Sequence, residues 1–239
     1  MSNLSYNKAR EYYELLGYKR DIADITMKIA SAIDRNTKNR EEKVSNEYNK
    51  ALKLFQFIGD KANEAKALAA IGTVHNSWWM MSTVSSVNER EKIDLKSIEF
   101  LLRGLEIYLE LNDTKKIIRI YHDIAWKYYY MEFQNKALEY ANKGIDSIQS
   151  NIDEDEQEKQ LQYFNRLLSS IYKEVGNEEK FLEYYNYDGV EEHELHSRMG
   201  GFYVKNGNFI KANKSYYLAL EVALKEKNKS DIIDLKTFI

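Results

Sequence analysis

The chain contains no cysteine and no proline in 239 residues, and only ten glycines. Without cysteine there is no disulfide framework, no thiolate nucleophile and no zinc–thiolate site, so thiol redox chemistry is excluded and a reducing compartment is compatible. Average usage would place roughly 12 prolines in a chain this long. Their absence favours helix nearly throughout, because proline is the residue that interrupts the i to i−4 ladder. An excess of one charge is also missing. The 35 Lys and Arg stand against 38 Asp and Glu, a formal net charge of −3, so no bulk cationic field draws nucleic acid or an anionic membrane. No apolar run approaches the roughly 18 residues of a membrane span. The N-terminus, Met1-Ser2-Asn3-Leu4-Ser5-Tyr6-Asn7-Lys8, lacks the apolar stretch of a signal peptide. What is present, 44% hydrophobic and 31% charged residues, can build and solubilise a sizeable core, in one elongated domain or two compact ones.

Repeats organise the chain. Asn7-Lys8-Ala9 runs through Tyr13 to Gly17-Tyr18-Lys19, and 42 positions on, Asn49-Lys50-Ala51 runs through Phe55 to Gly59-Asp60-Lys61. The small residue recurs as Gly104, Gly144 and Ala219, and the longer step from Ala51 to Gly104 implies an insertion. A second series places a large apolar residue before a small one: Ile29-Ala30, Ile71-Gly72, Ile124-Ala125, Leu168-Ser169 and Met199-Gly200. Three residues after each small one stand Ile33, His75, Tyr128, Tyr172 and Tyr203. A small residue beside a bulky one lets a neighbouring helix approach closely while the larger group fills the adjacent gap. Gly176-Asn177 and Gly207-Asn208 supply a left-handed closure for one helix and a cap for the next. The pattern predicts a helix over 3–16, helix pairs over 19–58, 60–111, 113–150, 155–187 and 190–227, and a last helix from about Ser230.

These large-small-x-x-aromatic motifs, the Gly-Asn turns, and the aromatic-x-x-small signature of Tyr48-x-x-Ala51 and Tyr216-x-x-Ala219 resemble the tetratricopeptide repeat family over nearly the whole chain. The family's terminal proline is missing and the units exceed its 34-residue standard. Long units with Gly-Asp-Lys or Asn-Asp linkers resemble those of bacterial sensory regulators, including sensor-kinase input domains and Rap-type proteins. The resemblance implies an all-α, right-handed solenoid of about five helix pairs with a half-repeat at each end. It treats residues 1–239 as one such domain with an insertion near 78–94. The apolar end Lys236-Thr237-Phe238-Ile239 lacks a helix stop signal, and suggests a segment of a longer protein. A cytoplasmic setting is expected, or the periplasm if the segment belongs to a membrane-anchored sensor.

Chemistry has little foothold. His193-Glu194-Leu195-His196 sets imidazoles at i and i+3, which misses the zincin spacing, and is read as a solvated helix start. Asp153-Glu154-Asp155-Glu156 lacks the ligand alternation and glycine of a calcium loop; acidic residues before a helix suit the positive end of its dipole. No glycine-rich phosphate loop, GxSxG elbow or HExxH motif occurs, so the reading is non-enzymatic, without cofactor or metal.

The resemblance implies a concave groove lined by first-helix positions: Asp24, Met27, Ser31 and Asp34; Lys66, Ala69, Thr73 and Asn76; Arg119, His122, Trp126 and Tyr129; Tyr163, Arg166, Ser170 and Lys173. The Lys and Asn clamp of chaperone-binding relatives is absent, since the matching places hold Met27, Ala69, His122 and Arg166, then Ser31, Thr73, Trp126 and Ser170. The candidate peptide- or protein-binding set is Lys66, Asn76, Arg119, His122, Trp126, Tyr129, Tyr163, Arg166 and Lys173. It mixes cations with rings, a combination suited to a peptide carboxylate and its side chains. The alternative is a homodimer or docking module acting through Trp78, Trp79, Met80 and Met81, four large apolar residues beside a polar loop.

Overall fold

Proline-free segments with caps at regular intervals form helix wherever the computed structural model describes the chain: residues 3–34, 36–74, 86–148, 154–185 and 190–226. Every regular element among these is an α-helix. The chain divides into two compact units, Met1–Ile148 and Gln149–Ile239. The first carries α1 (Asn3–Leu16), α2 (Lys19–Ser31), α3 (Arg40–Ile58), α4 (Lys61–Val74), α5 (Val87–Glu110), α6 (Thr114–Tyr130) and α7 (Gln134–Asp146). The second carries α8 (Glu154–Glu174), α9 (Glu178–Tyr185), α10 (Glu192–Lys205) and α11 (Phe209–Glu226). One lone helix followed by five pairs is the order that the repeats predict. The helix expected from Ser230 lies outside the described residues, as do Asn76 and Trp78 to Met81 of the insertion, whereas residues 87–94 form the first turns of α5. No described helix is long and apolar enough to cross a membrane.

In the first unit each helix packs on the next, from α1 on α2 through α6 on α7; in the second, α9 and α10 pack on α8, and α11 on α10. The predicted small residues sit at these crossings. Ala30, Gly72, Ala125, Ser169 and Gly200 are buried, as are their large partners Ile29, Ile71, Ile124, Leu168 and Met199. The fit is tight. A Cβ on Gly72 would stand 2.6 Å from Leu101 Cγ and 2.9 Å from the Ser97 carbonyl oxygen, and one on Gly200 would stand 2.5 Å from the Tyr216 ring. Around them, Phe55, Leu68, Leu101, Phe164 and Leu167 are fully buried, each contributing on the order of 1.5–3 kcal/mol of transfer free energy.

Six connections share one backbone device, although the sequence motif announces only those with glycine. At Gly17, Gly59, Asn112, Glu132, Gly176 and Gly207 the chain turns through φ between 53° and 73°. The next amide N–H donates back to the carbonyl of an aromatic residue five positions earlier: Tyr13, Phe55, Tyr108, Tyr128, Tyr172 and Tyr203, at 2.8–3.1 Å. This is the Schellman closure, which satisfies carbonyls left over at a helix end. At four of the six the following residue caps the next helix through its side chain: Asp60, Asp113, Asn177 and Asn208 accept the N–H of Asn63, Lys116, Lys180 and Lys211 at 2.9–3.2 Å.

Candidate binding face

Helix α6 is amphipathic in an unusual way. Ile117, Ile118, Ile120, Ile124, Ala125 and Tyr128 fill one face, and the other carries Arg119, His122, Trp126, Tyr129 and Tyr130. Residues three and four apart lie over one another on a helix, so these rings meet. The Trp126 indole N–H donates to His122 Nε2 at 2.8 Å. That nitrogen therefore bears the lone pair, which leaves the imidazole hydrogen on Nδ1, 3.8 Å from Asp123 Oδ1. The indole stacks on Tyr130 with centroids 5.5 Å apart and meets Tyr129 edge-on at 5.3 Å, while Tyr129 and Tyr130 lie 5.4 Å apart. Such ring pairs contribute about 0.5–1.5 kcal/mol each beyond burial. The cluster is only half-covered, with Tyr130 38% exposed and Arg119 exposed beside it.

The same framework position on the other first helices is differently used. Ser31, Thr73 and Ser170 each donate their hydroxyl to a carbonyl of their own helix, at 2.9–3.1 Å. Met27 packs against the core cluster of Ala51, Phe55 and Leu68. Of the predicted set, then, His122, Trp126 and Tyr129 are brought together, Lys66 stands exposed on α4, and Asn76 is outside the described residues. On α8, Tyr163 is 52% exposed and Arg166 exposed, whereas Lys173 is half-buried. Burial lowers the Lys173 pKa, and the like charges of Arg198 and Lys205 act in the same direction.

Three features escape the sequence reading. Tyr130 completes the ring cluster. Asp94 of α5 and Lys127 of α6 form a buried ion pair at 3.2 Å, with side chains 5% and 7% exposed. Burial is the main cause that lowers the Lys127 pKa, opposed by Asp94. The signal was periodicity: Asp94 continues the stripe of Ile98, Leu101, Leu105 and Tyr108, and Lys127 falls among the buried residues of α6. Third, the expectation of a solvated start to α10 is corrected at His193. This residue is 5% exposed with Nδ1 3.4 Å from Glu191 Oε2, because it lies on the same helix face as the buried Gly200 and Tyr203, seven and ten residues on. His196 is 28% exposed, 3.8 Å from Glu192.

Neither a protein-family model nor a curated protein matches the sequence. Among solved structures, BtubC (BKLC) from P. vanneervenii superposes with a TM-score of 0.62 at 15% identity, over 95% of this chain and 91% of its own. The apo form of RapI aligns at a TM-score of 0.41 and 13% identity, over 95% of this chain and 84% of its own. With its eleven described helices arranged as a lone helix and five pairs, and with BtubC following that course over nearly its full length, the chain is an all-α helical-repeat protein.

Proposed function

We propose that the chain is a non-enzymatic, tetratricopeptide-type scaffold that binds a peptide or protein segment, and that it serves as the interaction or sensory module of a regulatory protein. The α6 face carries this reading. A half-covered cluster of His122, Trp126, Tyr129 and Tyr130 beside Arg119 has the residue types that dominate binding energies at interfaces, and it is held in place before any ligand arrives. The indole is fixed by its hydrogen bond to His122 and by stacking, so little side-chain entropy remains to be lost when a partner covers it.

The test is a displayed peptide library selected against the full chain. Enriched peptides are expected to bind Trp126→Ala about 30-fold more weakly, the loss that corresponds to a hot spot of 2 kcal/mol, and to bind Arg119→Ala more weakly too. Circular dichroism should show both variants as helical as the parent. Failure to enrich any peptide, or equal binding by Trp126→Ala, overturns the assignment.

A further inference from the structure

We propose that Lys173, Arg198, Lys205 and the hydroxyl of Tyr216 form a subsite in the second unit for a carboxylate carried by an acidic peptide, with Arg166 holding a second acceptor of the same peptide. This deepens the peptide-binding reading and rests on it.

The geometry converges on Gly201. A Cβ there would stand 3.6 Å from Lys173 Nζ and 3.8 Å from Tyr216 Oη, so the ammonium and the phenol both lie over the bare Gly201 backbone, with no side chain of that residue between them. Lys173 comes from α8, Gly201 with its flanking Arg198 and Lys205 from α10, and Tyr216 from α11. The neighbouring cations have acceptors: Lys205 pairs with Glu174 at 2.7 Å, and Arg198 lies 3.6 Å from Glu194. Among the described residues Lys173 Nζ has neither a hydrogen-bond acceptor nor an ion-pair partner, although it is the most enclosed of the three. A half-buried ammonium has three donors to satisfy, and leaving it unpaired among like charges is unfavourable.

Charge selects the ligand. Three cations against Glu174 and Glu194 leave one net positive charge, which a single carboxylate balances and a phosphate dianion overshoots. Spacing selects a peptide over a small acid. Arg166 lies two helical turns before Lys173 on the same face of α8, about 10.5 Å away. Ser170 between them turns its hydroxyl back onto the Arg166 carbonyl at 2.9 Å, which keeps the intervening surface low. An extended peptide crosses that distance in about three residues, and Tyr163 offers a ring one further turn along.

The experiment follows the side-chain signals of 13C-labelled lysine in the full chain by NMR. Acetate is added first, then the peptide acetyl-Glu-Gly-Gly-Glu as its C-terminal amide and as its free acid, then its Gln-for-Glu counterpart. Lys173 is expected to shift saturably with both acidic peptides, at least tenfold tighter than with acetate, and not with the Gln peptide as the amide. Tighter binding of the free acid than of the amide assigns the pocket to a chain terminus; equal binding assigns it to a side-chain carboxylate. Lys173→Gln should abolish the accompanying shift of the Lys205 signal, and Gly201→Glu, which tethers a carboxylate beside Lys173, should block the response. A Lys173 signal that responds no more than exposed lysines do overturns the subsite without any variant having to fold. If library-selected peptides depend on Trp126 but ignore Lys173→Gln, the subsite fails and the broader binding role stands. If no peptide of either kind binds, both fail.

Discussion

In the first unit the helix crossings are aliphatic: Ile29, Leu68, Ile71, Leu101, Ile118 and Ile124 pack around Ala30, Gly72 and Ala125. In the second, rings take over. Phe181 stacks on Tyr185 and Phe202, Tyr216 closes over Gly200, and Tyr203 donates its hydroxyl to the Glu178 carboxylate, whose other oxygen accepts from Lys211 at 3.2 Å. One frame of paired helices thus accepts two kinds of filling, and the polar elements of each differ accordingly. Among the described residues the aliphatic unit has one deeply buried ion pair, Asp94 with Lys127, whereas the aromatic unit ties the phenols of Tyr185 and Tyr203 to carboxylates near the surface. Aromatic residues therefore mean different things in the two halves. In the second unit Phe181, Phe202, Tyr203 and Tyr216 are core, and in the first Trp126, Tyr129 and Tyr130 of α6 are packed against one another and left half-open.

The largest break in this contrast should come from the ion pair. Lys127→Met takes the buried cation away from the buried Asp94 carboxylate, and should lower the unfolding free energy of the first unit by about 3–5 kcal/mol, read from urea unfolding. Asp94→Leu combined with Lys127→Met should recover most of that loss. Similar unfolding midpoints for single and double variants would show that the pair is not the central polar element of the unit.

Alkaline pH should act more strongly on the aromatic half. Burial is the main cause that pushes Tyr108, Tyr185 and Tyr203 from the ordinary value of 10.0 up to about 12; for Tyr185 and Tyr203 the bonded carboxylates of Glu194 and Glu178 add to it. The folded state thus keeps protons that the unfolded state has released, and stability falls as pH rises from 10 towards 12. Burial raises other tyrosines in both units, but two of these three largest shifts fall in the second, so amide signals of Ala219 should disappear at lower pH than those of Ala125. The reverse order would contradict the contrast.

The smallest effect concerns a turn. Glu132 holds φ at 63° where four other turns of this type place glycine at 72–73°. Glu132→Gly should raise stability by about 1 kcal/mol by relieving the left-handed strain. Gly59→Ala, at φ 73° with open space around it, should lower it by a similar amount. Thermal unfolding of the two variants, measured side by side, checks both signs.

Much of the fold was legible because the helix crossings are specified locally. A bulky residue, a small one and a further large residue three positions later suffice to locate each first helix, as Ile124, Ala125 and Tyr128 show. The candidate face was legible in part, since His122, Trp126 and Tyr129 follow from the groove register. Tyr130 was missed because that register takes one residue per turn, while ring stacking takes whichever neighbour lies above the indole. Asp94, Lys127 and His193 were missed for another reason: composition assigns charged and imidazole groups to the surface, and only contact with a facing helix reveals that a partner waits inside. Convergence of Lys173 and Tyr216 on Gly201 joins three helices and has no signature in the spacing of any one of them.

The repeated left-handed turn has a consequence for how such a chain can diverge. Its bonds run from backbone to backbone, so each connection demands one residue tolerant of positive φ and little else. Glycine, asparagine and even glutamate fill that place here. Outward faces are then free to drift, acquiring a ring cluster on one helix and a cationic pocket on another, without renegotiating how the helices join. A chain built on this device can keep its architecture while the residues on its outward faces are exchanged almost without restriction.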